Sequence, residues 1–92
     1  MSTENVDTIS RPQCRGARGL LDLTQPELAA AAGLGLSTIV DFERARRSVS
    51  RGAIAMIRAA LERGGIEFIA ENGGGPGVRL KKSIRGKGRK SG

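Results

Sequence analysis

The sequence predicts a mainly α domain of four helices followed by a short C-terminal β-hairpin, and three observations carry that expectation. Helix-start signals recur just before apolar residues spaced three and four apart. Glycines stand where two of the resulting helices would stop. After Gly65 the apolar period switches from that of a helix to the alternation of strands.

The elements follow in order. Residues 1–9 are short, polar and uncapped, and are expected to form a disordered N-terminus. Ser10-Arg-Pro-Gln13 reads as a capping box, with Pro12 in the first turn where its missing N–H costs nothing. The first helix then runs from Arg11 to Leu21, with Cys14, Ala17 and Leu21 on one stripe and Leu20 beside it. Gly16 and Gly19 weaken it by about 1 kcal/mol each relative to alanine, which is explained if a neighbouring helix needs the room. The same cap recurs at Thr24-Gln-Pro-Glu27 and opens a helix from Gln25 to Ala32, ended by Gly33. A third helix spans Leu36–Arg44, with Ile39 and Phe42 three apart, and leads into a basic loop, Arg44-Ala-Arg-Arg47. Ser50 caps a fourth helix reaching Arg63, with Ile54, Ile57 and Leu61 on one face and Gly64-Gly65 at its end.

Ile66–Ala70 and Val78–Leu80 alternate as strands do. Glu71-Asn-Gly-Gly-Gly-Pro-Gly77 between them is a turn; no helix start follows it to receive a phosphate. The organisation expected is therefore a helical domain over 10–64, a hairpin over 65–80, and a disordered basic tail over 81–92.

With 92 residues the chain has room for one domain. Its net charge of +7 is unevenly spread: nine arginines and nine carboxylates cancel from Met1 to Val78, while seven basic and no acidic residues follow. The tail therefore attracts any polyanion without selectivity, and a specific partner must be argued from the neutral part. One cysteine forbids an internal disulfide, and the absence of histidine excludes a zinc site or a Cys/His catalytic pair. No metal, cofactor, small-molecule ligand or enzymatic activity is expected. The N-terminus lacks the pattern of a signal peptide and no apolar run could span a bilayer, so a cytoplasmic location is expected.

The informative stretch is Thr24–Ala45. Two short helices flank a tight turn, Ala29 is small where they must approach, and Gly33 can take the left-handed conformation that the turn needs. Leu28, Leu34, Ile39 and Phe42 would share a core while Glu27, Ser37, Thr38, Asp41 and Arg44 face elsewhere. That is the pattern of a helix-turn-helix. The run from Thr24-Gln25 through Leu28-Ala29, Gly33 and Ile39 to Phe42-Glu43 resembles the Cro/CI-type (XRE-type) helix-turn-helix family, over roughly residues 11–63. Two positions depart from the family pattern: Gly35 stands where Ser or Thr usually caps the recognition helix, and Ala45 where glycine usually follows the glutamate.

The resemblance implies a lambda-repressor-like domain that binds double-stranded DNA as a homodimeric transcriptional regulator, with a Cro-like repressor as the expected role. It implies base contacts from Leu36, Ser37, Thr38, Asp41 and Arg44, and phosphate contacts from Gln25, Arg46, Arg47 and Arg51. Glu43 would bond within the domain. Chemically, Leu36 suits a thymine methyl, Asp41 a cytosine amine and Arg44 either guanine or a phosphate; Asp41 and Arg44 could also pair with each other. Cys14 is expected as a small core residue. Phe68, Ile69, Val78 and Leu80 either pack onto the fourth helix or form the dimer interface; the latter is favoured because a lone two-stranded hairpin is marginal and leaves open edges. The competing expectation is an antitoxin or anti-activator, in which the hairpin's apolar face binds a different protein.

Overall fold

A computed structural model of the chain describes residues 8–70 and 76–81. Four helices, α1 (Arg11–Leu21), α2 (Gln25–Ala32), α3 (Leu36–Arg44) and α4 (Arg51–Arg63), precede two antiparallel strands, β1 (Ile66–Ile69) and β2 (Gly77–Leu80). The mainly helical class and the closing hairpin are those the sequence predicts. Most of the expected disordered N-terminus, most of the turn at 71–77 and all of the tail beyond Lys81 lie outside the described residues. No helix among the described residues is long and apolar enough to cross a membrane.

The helix starts follow one rule. Ser10 and Thr24 each accept from the amide three residues on, and Gln13 and Glu27 return the bond to the cap amide. Ser50 accepts from the Ala53 amide at 3.1 Å, whereas α3 starts at Gly35 with no side-chain cap. What all four share is an apolar residue before the cap and another in the second turn: Ile9 with Cys14, Leu23 with Leu28, Leu34 with Ile39, Val49 with Ile54. These are the positions of a hydrophobic staple, and all lie in the core or against it. Ile9, grouped by sequence with the polar N-terminus, is thus a core residue, only 7% exposed.

The helix ends follow a second rule. The residue after each of α1, α2 and α3 is left-handed: Asp22 (φ 59°), Gly33 (φ 73°) and Ala45 (φ 55°). The next amide reaches back to close the last turn, Leu23 N to Arg18 O, Leu34 N to Ala29 O and Arg46 N to Asp41 O, at 2.9–3.0 Å. Leu23 and Leu34 therefore close one helix and staple the next. The connections α1–α2 and α2–α3 are the same three-residue device.

The core is filled by Leu28, Ile39, Ile57, Leu61 and Ile66, all fully buried; burial of each such side chain stabilises by about 2–3 kcal/mol. α2 packs on α3 and α4, and α1 lies across α3, α4 and β2. The hairpin pairs Ile66 with Leu80, Glu67 with Arg79, Phe68 with Val78 and Ile69 with Gly77. The pleat turns Ile66, Phe68, Val78 and Leu80 to one face and Glu67, Arg79 and Ile69 to the other.

Besides apolar packing, the side chains of Gln13 and Arg58 fasten the hairpin to the helices. Gln13 donates through Nε2 to Gly77 O at 3.0 Å, so the capping glutamine of α1 also ties down β2. Arg58 of α4 stacks its guanidinium 5.1 Å from the Phe68 ring centre. Gly16 needs its small size for a strand rather than for a helix, because a Cβ there would stand 3.3 Å from Val78 Cγ2; a Cβ on Gly19 would meet nothing within 4 Å.

Ala45 carries backbone strain that a glycine would not. A left-handed L-residue costs roughly 1–2 kcal/mol, partly offset in a glycine variant by the larger entropy of its unfolded chain. Ala45→Gly is expected to stabilise the fold by about 0.5–1 kcal/mol, read as a rise of a few degrees in the thermal unfolding midpoint. An unchanged or lower midpoint would show that the strain is already relieved.

Candidate nucleic-acid interface

The position of α3 is set by one carboxylate. Glu43, in its last turn, is 3% exposed. Arg18 of α1 grips it with both ends of its fork, Nε to Oε2 and Nη2 to Oε1, each at 2.8 Å. Gln25 at the start of α2 donates to Oε1 at 3.0 Å, and the Cys14 thiol donates to Oε2 at 3.1 Å. Arg15 adds a bond to the Glu43 carbonyl at 2.7 Å, and Arg18 a bond to Leu23 O at 3.1 Å. Two helices, α1 and α2, thus converge on one residue of α3, and Arg18 ties the α1–α2 connection to the same cluster.

The electrostatics follow from burial and donors together. Burial opposes the charge on Glu43, but the bonds from Arg18, Cys14 and Gln25 and the charge of Arg18 outweigh it. They hold the carboxyl below the usual carboxylate range. The same burial, with the neighbouring carboxylate, pushes the Cys14 thiol far above its ordinary value. Cys14 is therefore an inert core thiol whose S–H serves as a donor.

With its inner face fixed, α3 presents a defined outer one. Ile39, Phe42 and Glu43 are buried. At about 3.6 residues per turn, Ser37, Asp41 and Arg44 form the row opposite them, flanked by Leu36 and Val40 on one side and Thr38 on the other. Leu36, Ser37 and Arg44 are exposed, whereas Thr38, Val40 and Asp41 are half-buried. Val40 shares this face and was not singled out from the sequence; its angular position between Leu36 and Arg44 is the signal that could have found it.

A recess lies on either side of the row. An open cleft of about 590 Å³ brings Arg44 together with Gln25, Thr24, Arg15 and Arg18. A smaller notch of about 200 Å³ contains Thr38, Asp41, Arg47 and Ser50. The expected base-contact residues are thereby divided: Arg44 sits with Gln25, one of the expected phosphate contacts, and Asp41 sits with Arg47, another. Asp41 does not pair with Arg44. Its Oδ2 accepts from Arg47 Nε at 2.7 Å and its Oδ1 lies 3.9 Å from Arg46 Nε. Arg46, Arg47 and Arg51 are exposed along the loop and the start of α4. Arg15 was missed because nothing in its spacing separates it from a solvated surface arginine.

The four expected dimerisation residues divide as well. Phe68 and Val78 pack against the core. Ile69 lies on the other face, over Gly77. Leu80, on the inner face by the pleat, is 48% exposed at the strand end.

Glu43→Gln removes the charge that Arg18 is built to meet and is expected to cost about 3 kcal/mol. Because folding lowers the Glu43 pKa, the unfolded chain takes up the proton first as pH falls. The stability contributed by Glu43 is present above the ordinary carboxylate pKa and is lost as pH falls through the lower folded value. Denaturant unfolding as a function of pH should therefore show a shallower acid limb in the variant; an equally steep limb would mean that other carboxylates govern it. No protein-family model matches the chain, and no curated protein matches it either.

Proposed function

We propose that the chain is a sequence-specific DNA-binding transcriptional regulator of the Cro/CI-type helix-turn-helix kind, acting as a repressor that grips an inverted-repeat operator as a homodimer. The observation that carries this reading is the outer row of α3. It is polar, with Ser37 and Arg44 exposed, is held in place by Glu43, and is bordered on both sides by arginines. A helix of this width fits the major groove, where base edges carry a unique donor and acceptor pattern. Leu36 suits a thymine methyl, and Ser37 and Thr38 suit base edges or phosphates. Arg44, sharing a cleft with Gln25 and Arg15, suits a phosphate, as do Arg46, Arg47 and Arg51.

The hairpin suits a second copy of the chain through its β2 edge. Gln13 is level with Gly77 and Gly16 with Val78. At about 1.5 Å per helical residue and about 3.3 Å per strand residue, Leu20 comes level with Leu80. These two, 44% and 48% exposed, would supply apolar contacts to a second copy docked there. A two-fold dimer would hold two copies of α3 about 34 Å apart, one turn of duplex.

Selection from a pool of randomised duplexes at about 150 mM salt, where non-specific attraction is screened, should enrich an inverted repeat. Ser37→Ala should change the preferred bases, and Arg44→Ala should weaken all duplexes alike and lower the salt slope by about 1. Binding without enrichment would leave the tail as the DNA contact and favour a protein partner for the domain. In sedimentation, the chain should run at twice its 9.6 kDa, and Leu80→Arg should return it to a monomer. A monomeric parent chain would overturn the dimer.

A further inference from the structure

Asp41 occupies the centre of the outer row of α3, where a side chain would ordinarily be taken as a reader of bases. Its surroundings point elsewhere. The carboxylate is only 14% exposed and turns back towards the loop, where Arg47 Nε meets Oδ2 at 2.7 Å and Arg46 Nε lies 3.9 Å from Oδ1. The backbone of the same residue is also committed, since its carbonyl accepts from Arg46 N at 3.0 Å. Thr38, Val49 and Ser50 wall the notch around it.

Between Asp41 and those arginines stands Ala45 (φ 55°), which with Asp22 makes two non-glycine left-handed residues among the described ones. The chain reverses there without the residue type that makes such a reversal easy. Asp41 supplies the restraint through one main-chain bond and one short ion pair that span the reversal. Reading a cytosine amine would require the carboxylate to give up Arg47, leaving the main-chain bond from Arg46 alone to restrain the reversal.

We propose that Asp41 is a positioning residue, which orders the 45–49 loop and sets Arg46 and Arg47 beside α3, and that it contacts no base. Sequence reading then falls to Leu36, Ser37, Thr38 and Val40, while Asp41 acts on DNA only through the arginines. This assignment rests on the DNA-binding reading for its consequence, but the ordering of the loop is a property of the free protein.

The test separates the two. In the free protein, Asp41→Asn, Arg47→Ala and the double variant should each speed amide hydrogen exchange over residues 46–49 by a common factor of about two to five, as expected for loss of one accessible ion pair. Non-additivity is the signature: the double variant should exchange no faster than either single one. Unchanged exchange in Asp41→Asn would overturn the proposal whatever the protein binds. In the randomised-duplex selection, Asp41→Asn should keep the parent's preferred bases and shift the affinity of all duplexes together, with no effect in an Arg47→Ala background. A changed preference at one base position in Asp41→Asn, with none in Arg47→Ala, would also overturn it and make Asp41 a reader. If no duplex is enriched by the parent chain, the DNA-binding reading fails while the exchange result still decides the role of Asp41.

Discussion

The Glu43 carboxylate is the constraint on which the arrangement depends. It is nearly solvent-free and is met by donors from α1 and α2, while Arg15 holds its carbonyl. A buried ion pair of this kind adds little net stability compared with well-packed apolar residues, because desolvation offsets most of the attraction. What it adds is geometry. Planar bidentate bonds have narrow angular tolerance, so α3 can neither rotate nor slide without stranding a charge. The outer row inherits that rigidity, and a helix that must present side chains to a fixed pattern of partners gains from being ordered beforehand.

Much of this was legible in the sequence. The helix bounds followed from Ser10, Thr24 and Ser50 as caps and from Gly33 and Gly64 as stops, because these act through local backbone geometry that composition reveals. The strand alternation gave the hairpin. Bonding of Glu43 within the domain is expected only through the family resemblance; a Glu beside Phe42 carries no mark of its own that distinguishes it from a surface carboxylate. Ile9 escaped because its polar neighbours dominate a window average, although its spacing to Cys14 is the spacing of the other three staples. The partner of Asp41 escaped because helical spacing suggests Arg44, three residues on, while the left-handed turn at Ala45 brings Arg47 round instead. A chain reversal set by one dihedral angle has no signature in apolar period.

The hairpin shows how one side chain can serve two levels of structure. Gln13 completes the start of α1 through its carbonyl oxygen and holds Gly77 through its amide. The first role is local and visible in four consecutive letters; the second crosses 64 positions of sequence and is visible only once the strand has docked. Gly16 is similar: its missing side chain looks like a weakness in α1 until Val78 is placed against it.

The shared connections carry a consequence for how the chain could change. Because Leu23 and Leu34 each finish one helix and begin the next, neither linker has a residue to spare. Adding or removing one there would disturb two helix ends at once, breaking either the closing bond of one helix or the staple of the next. Substitution is tolerable across much of this region, but its length is not. From Ser10 to Glu43 the chain behaves like a ruler, and variation in length is better accommodated between β1 and β2, where no helix register depends on the count.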